Sequence, residues 1–207
     1  MKRLIVVAYA LIIGKLAFAQ EKERIHFKKE FSVSARVDYR KFYGNNFVAK
    51  TYEPAYPLYI DWQFNIYRNW GFGTYYQGNR STLKSTEYVG LSFKNSMENY
   101  GLYCIHYLPV TKRLLFIPKI GVSYFVLKNK LLDVDNTTDY TYKSKGYNFN
   151  IGGEAHLFLL KWASVYSNVG FEYYSFPNIS ASPQIGVSYR HSNALSVGLG
   201  VRCWVGK

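Results

Sequence analysis

The chain has 207 residues, a formal charge of +13, 21 Tyr and 14 Phe, but only two Cys. That length, with no Pro/Gly/Ser-rich linker and no break in composition, argues against two domains. The cations are scattered along connections and never form a dense tract, which argues against a nucleic-acid-binding arm.

Lys2 and Arg3 precede the apolar run Leu4 to Ile13, and Ala17-Phe18-Ala19 offers a small-x-small cleavage site before Gln20. This is the pattern of a secretory signal peptide. The run falls short of the roughly 20 apolar residues that cross a bilayer, so residues 1–19 are expected to be cut off after Ala19. Gln20 to Lys29 reads as a charged leader. Residues 30–207 then form one domain, read as all-β because no segment holds a helical period and its many aromatics favour strands. An exported basic protein meets anionic lipid and polysaccharide before it meets nucleic acid.

The first strand is expected at about 30–42, with Phe31, Val33, Ala35, Val37 and Tyr39 on one face and Ser32, Ser34, Arg36, Asp38 and Arg40 on the other. Residues 44–57 form a connection. From Tyr56 to Ile66 every even position is apolar or aromatic, while Asp61, Gln63 and Asn65 fill odd positions. Side chains on a strand alternate faces, so one face is greasy and the other hydrogen-bonding. Arg68-Asn69 turns this strand into the next, about 70–77. Residues 78–99 read as an extension outside the membrane, although Glu87 to Lys94 has some strand character. A strand at about 100–110 turns at Thr111-Lys112-Arg113 and returns as 114–127. Residues 128–145, with Asp133, Asp135, Asn136 and Asp139, look too polar for a strand in lipid and are expected to be a loop. Residues 147–159 alternate well, turn at Leu160-Lys161 and return as 162–176. Residues 177–193 are ambiguous, and the last strand is about 194–205.

Short connections near 68, 111 and 160 alternate with long ones at about 43–55, 78–99, 128–145 and 177–193. Short turns on one side and long loops on the other belong to an antiparallel up-and-down transmembrane β-barrel. Counted this way there are eight strands. The alternative is ten, if Glu87 to Lys94 and Gln184 to Arg190 also cross. Cys104 and Cys203 fall mid-strand on strands that are not neighbours in this order, and are read as free thiols.

Opposite the apolar faces stand Arg36, Asp38, Arg40, Asp61, Gln63, Asn65, Lys119, Glu154, His156, Glu172 and Arg202. Four are acids and four are basic, apart from His156. An eight-stranded barrel has an interior that side chains can fill, so these charges are expected to pair across a closed polar lumen. The rival reading, a selectivity ring, needs a wider barrel. Trp70, Trp162 and Trp204 each lie near the short-turn end or the chain end and are expected to form an aromatic belt.

Chemistry-bearing motifs are sparse. His156 beside Glu154 allows an acid–base pair. His191-Ser192 resembles the His and Ser of outer-membrane lipid A deacylases, but adjacent residues on a strand point to opposite faces. No nucleophile elbow or His/Cys metal spacing is present, and Asp133-Val134-Asp135-Asn136 lacks the Gly and distal Glu of a hand-type Ca²⁺ loop. No catalytic, cofactor or metal residue is assigned.

Leu160-Lys161-Trp162-Ala163-Ser164-Val165-Tyr166, running into Gly170-Phe171-Glu172-Tyr173, resembles the turn and rising strand of the small eight-stranded outer-membrane β-barrels of Gram-negative bacteria. Arg68-Asn69-Trp70-Gly71 is similar. The resemblance implies a monomeric integral outer-membrane barrel serving envelope integrity, adhesion or host interaction without catalysis. Its partners would be outer-membrane lipid and lipopolysaccharide, with an external protein or glycan as a further candidate. Lys128, Lys130, Lys143 and Lys145 are the expected lipopolysaccharide contacts, neutralising lipid phosphates. A lipid A-modifying enzyme, a narrow channel and a soluble periplasmic ligand-binding barrel are the alternatives.

Overall fold

A computed structural model describes residues 30–82, 92–132, 139–176 and 190–206. Eight strands account for nearly all of them: β1 (Phe31–Tyr43), β2 (Leu58–Tyr67), β3 (Trp70–Ser81), β4 (Ser92–His106, resumed past Tyr107 as Leu108–Pro109), β5 (Leu114–Leu132), β6 (Asp139–Leu160), β7 (Ala163–Ser175) and β8 (His191–Val205). Each pairs antiparallel with its sequence neighbours, and β1 pairs with β8, so the sheet has no free edge. β3 pairs directly with β4, and β7 with β8, leaving no gap for the two extra strands of the ten-strand alternative. Of the segments that alternative invoked, 87–91 and 184–189 lie outside the described residues, and Ser92 to Lys94 belong to β4.

Register fixes the barrel's dimensions. From Phe31 the partners run through Phe64, Phe72, Cys104, Ile120, Ile151, Phe171 and Leu195 to Lys41, ten residues further along β1. A stagger of ten over eight strands, with a rise of about 3.3 Å and a strand spacing of about 4.8 Å, tilts the strands by about 40° and sets a backbone radius of about 8 Å. Such a tube has room for side chains and little else.

The first hairpin shows why the chain turns where it does. Arg68 and Asn69 both take positive φ (44° and 70°), the two-residue turn whose twist matches that of paired strands. The expected connection at 44–57 contains a short helix, α1 (Phe47–Thr51), capped by the Asn46 side chain, which accepts from the Ala49 N–H. Past it, Ala55 pairs with Arg40 and continues the ladder beyond the start of β2.

Two expected loops prove to be largely strand. Gly78 to Ser81 pair with Asn95 to Glu98, and Lys128 to Leu132 pair with Asp139 to Lys143. Only 83–91 and 133–138 of those stretches fall outside the described residues. The alternation runs on into the second stretch: Phe125 and Leu127 are buried while Lys128 and Lys130 point outward. What changes is the outer face, which turns from apolar to polar past Val126. β6, at 22 residues, reaches about 55 Å along the axis at this tilt, more than twice a roughly 25 Å apolar band. One side of the barrel therefore rises as a wall built from β3 to β6.

Candidate functional site

Every second side chain points into the tube, where charge must find a partner or stay desolvated. The structure places Arg36, Asp38, Arg40, Asp61, Gln63, Lys119, Glu154, His156, Glu172 and Arg202 inside and buried, with Asn65 half-buried toward the short-turn end.

They sort into two layers. In the layer nearer the short turns Glu154 is the hub. Its Oε1 accepts from Lys119 Nζ (2.6 Å) and Arg36 Nη1 (3.0 Å), and its Oε2 accepts from Arg202 Nη2 (3.0 Å) and faces His156 Nε2 (3.1 Å). Arg36 also grips Asp38, with Nε 2.6 Å from one oxygen and Nη2 3.0 Å from the other. Arg202 reaches Asp61 at 3.0 Å, where the hydroxyls of Tyr103 and Ser34 also donate. Three acids thus face three bases. In the outer layer Arg40 pairs with Glu172 (3.2 Å), which also accepts from Asn148 and the Tyr174 hydroxyl. Asn99 donates to Gln77 (2.7 Å).

Tyrosines complete this network, and a search for charges passes over them. Arg36 lies 3.8 Å above the Tyr59 ring, Tyr107 donates to Gln63, and Tyr166 meets Ser34. A signal was present, because Tyr59 shares the odd row of Asp61 and Gln63, and Tyr174 the even row of Glu172. Glycines on partner strands make room for the rings: Tyr103 covers Gly73, Tyr75 covers Gly101 and Tyr166 covers Gly200, each pair directly opposite in register.

Apolar side chains cluster at both ends of the lumen. Tyr107, Leu115, Ile117, Phe158 and Trp204 fill the short-turn end; Phe42, Met97, Phe125, Leu127 and Phe176 fill the other, under Val48 and Tyr52 beside α1. Between the ion layers lies a void of about 30 Å³, lined by Arg36, Tyr59, Tyr75, Lys119, Asn150 and Glu172 among others. It has room for about two waters.

Trp70 and Trp162 stand outward and exposed at the short-turn rim, but Trp204 does not join them. It is 3% exposed, and its Nε1 donates to Ser164 Oγ (2.9 Å). The reason is parity: residue 204 continues the inward even row of Ser196 and Arg202, and nearness to a rim does not decide which way a side chain faces. Ser164 in turn lies 3.1 Å from His156 Nδ1. Serine, histidine and glutamate therefore stand in the order of a hydrolytic relay. Ser164 is 2% exposed and sealed beneath Trp204, and the Glu154 carboxylate is occupied by three cations, so the arrangement cross-braces β6, β7 and β8. His191 and Ser192 do point to opposite faces; His191 bonds Tyr173 outside, and Ser192 donates to Asn46 inside. Among the described residues no group of His, Cys, Asp and Glu is placed to hold a metal. Cys104 and Cys203 are free and exposed on the outer face.

The outer face carries a second candidate site. Tyr76, Tyr100, Tyr124 and Tyr147 are successive register partners across β3 to β6. Beyond this row, away from the short turns, the outward positions include Arg80, Lys128, Lys130, Lys143 and Lys145. The four lysines lie on paired strands, not on the loop expected from their polarity. Lys128 stands directly opposite Lys143, a like-charge pairing that costs stability. Glu98 relieves one partner, accepting from Lys128 Nζ at 2.9 and 3.1 Å, and this bond holds the Lys128 ammonium above its ordinary pKa.

No family model and no curated protein sequence matches the chain. Solved structures do. Neisserial surface protein A is 12% identical over 84% of this chain and 97% of its own, with a TM-score of 0.58. A major outer membrane protein from Thermus thermophilus is 14% identical over 85% and 98%, with a TM-score of 0.59. The outer membrane protein OprG from Pseudomonas aeruginosa is 12% identical over 88% and 98%, at 0.52. Closed at eight strands, greasy outside and charged within, the chain has the fold of the small outer-membrane β-barrels.

Proposed function

We propose that this protein is a non-enzymatic integral barrel of the outer membrane, exported by cleavage after Ala19, with a closed lumen and a cationic wall that contacts lipopolysaccharide. One observation carries the reading: the solvent preferences of the molecule are inverted. Leu199, Ile66 and Val197 are 73%, 69% and 53% exposed, whereas Arg40 and Arg202 are 1% and 0% exposed. A continuous apolar outer surface of this kind is at home only in lipid. Membrane fractionation with a heat-modifiability gel tests it. The folded barrel is expected in the membrane fraction and to shift in mobility on boiling; a soluble, non-shifting protein would refute the reading.

The same logic assigns the wall. Interfacial tyrosines sit at headgroup level, so Lys128, Lys130, Lys143 and Lys145 beyond the Tyr76–Tyr147 row stand at the height of the outer-leaflet lipid phosphates. Changing the four lysines to Glu is expected to abolish lipopolysaccharide binding by the folded barrel. Unchanged binding would sink this part while leaving the membrane reading intact.

A further inference from the structure

The opposite rim is also cationic, and it is built differently. All three short turns carry exposed basic residues: Arg68 between β2 and β3, Lys112 and Arg113 between β4 and β5, and Lys161 between β6 and β7. The single exposed carboxylate at this end, among the described residues, is Glu30. Two of the three turns are pinned by local contacts. Arg68 occupies the positive-φ turn with its guanidinium 5.0 Å from the Tyr67 ring centroid. The Thr111 hydroxyl accepts the N–H groups of Arg113 and Leu114. Beside the cations stand Trp70 and Trp162, 57% and 56% exposed, in the position of side chains that mark a headgroup boundary. The turns follow one another every second strand, about 12 Å apart around the rim.

We infer that this rim is a binding site for anionic glycerophospholipid, with the Arg68, Lys112–Arg113 and Lys161 turns each engaging a headgroup phosphate while Trp70 and Trp162 settle at the boundary. The inference rests on the membrane reading above but not on the lipopolysaccharide assignment, which concerns the far end of the barrel. The arrangement suits lipid better than a soluble anion. The cations diverge around a ring instead of converging on a pocket, and each lies next to outward apolar surface (Tyr67, Leu114, Trp162) that an acyl chain would cover. Long basic side chains reach from such surface to the phosphate plane. A cation at an anionic surface gives a preference of roughly fivefold over neutral lipid.

The test uses the full chain with Trp62 changed to Phe, so that Trp70 and Trp162 are the lipid-facing reporters while Trp204 stays inside. In mixed phosphatidylglycerol and phosphatidylcholine bilayers, one or the other lipid carries bromine near the headgroup. At low salt, brominated phosphatidylglycerol is expected to quench more, corresponding to a relative association constant of about 5. Raising the salt to about 1 M should bring the ratio toward about 1. The variant Arg68→Gln, Lys112→Gln, Arg113→Gln, Lys161→Gln should give a ratio near unity at all salt concentrations, and Gln at Lys128, Lys143 and Lys145 should change nothing. Equal quenching in the parent at low salt, or a preference that survives the four rim changes, would overturn the proposal. If the rim variant fails to fold, the salt titration of the parent decides alone. No quenching by either lipid would overturn the membrane reading, and the proposal with it.

Discussion

Glu154→Gln removes the centre of the inner charge layer while keeping its shape, and so isolates the value of the charge. The layer is neutral in the native protein, with Arg36, Lys119 and Arg202 set against Asp38, Asp61 and Glu154. The substitution leaves one buried positive charge uncompensated and turns an amide N–H₂ toward cations that stood 2.6 to 3.0 Å from a carboxylate. Breaking a buried ion pair in this one-sided way costs about 3–5 kcal/mol, a large share of the roughly 5–15 kcal/mol typical of a domain. With a urea dependence of about 2 kcal/mol per molar, the unfolding midpoint should fall by roughly 2 M. Tryptophan fluorescence during urea titration in lipid vesicles, with the gel shift as a second probe, reads it. Adding Lys119→Met restores neutrality and should recover more than half of the loss. A midpoint drop of less than about 0.5 M, or a double variant no better than the single, would show that the layer is not the mutually compensated unit described.

Trp204→Ala should cost about 3–5 kcal/mol in the same titration, because it empties the short-turn plug; a belt tryptophan facing lipid would cost far less, so a loss below about 1 kcal/mol would return Trp204 to the rim. Lys143→Glu replaces a like-charge partner of Lys128 by an opposite one and should stabilise the wall by about 0.5 kcal/mol, while lipopolysaccharide binding weakens. A change in the same direction for both quantities would contradict the view that the lysine wall is kept for its ligand. Cys104 and Cys203, free on the outer face, should resist a charged maleimide in bilayers and react after unfolding; rapid labelling of the embedded barrel would place them outside the lipid.

Much of this architecture is legible in the chain because period-two alternation names both faces of a strand at once. The segment 56–66 shows its apolar even row and its polar odd row by residue type alone, and 31–40 does the same. Alternation is blind to two things. It cannot tell a polar loop from a strand whose outer face has turned polar, so Lys128, Lys130, Lys143 and Lys145 read as loop when their strands simply continue. Nor does it rank uncharged inward residues, so Tyr59, Tyr103 and Ser164 draw no notice beside the charges they serve. Trp204 departs from expectation for a third reason: proximity to a rim outweighed parity, although Arg202 two residues earlier already fixes the row.

Parity and register are specified by different parts of the lumen. In the proposed membrane setting lipid is as apolar as the outward side chains, so the outer surface barely discriminates one pairing from another; discrimination must come from within. A slip of one residue in β1 would turn Arg36, Asp38 and Arg40 into the bilayer, at about 2–4 kcal/mol for each Arg near the midplane. The charges therefore forbid odd slips. A slip of two keeps every face correct, and there the tyrosine–glycine pairs act. With β3 moved two residues against β4, one direction sets Tyr75 opposite Tyr103 and overfills the tube. The other sets Gly73 opposite Gly101 and leaves a gap where Tyr103 now lies across from Gly73 and Tyr75 across from Gly101. Gly101→Ala probes this second device without touching a charge. Its Cβ would fall 2.2 Å from the Tyr75 ring, an overpacking that should cost about 1–3 kcal/mol. Tyr75→Leu in the same background should recover part of it by vacating the ring. If the alanine is silent in the urea titration, the rings do not need their glycines, and the tyrosine–glycine pairs are not what forbids a slip of two.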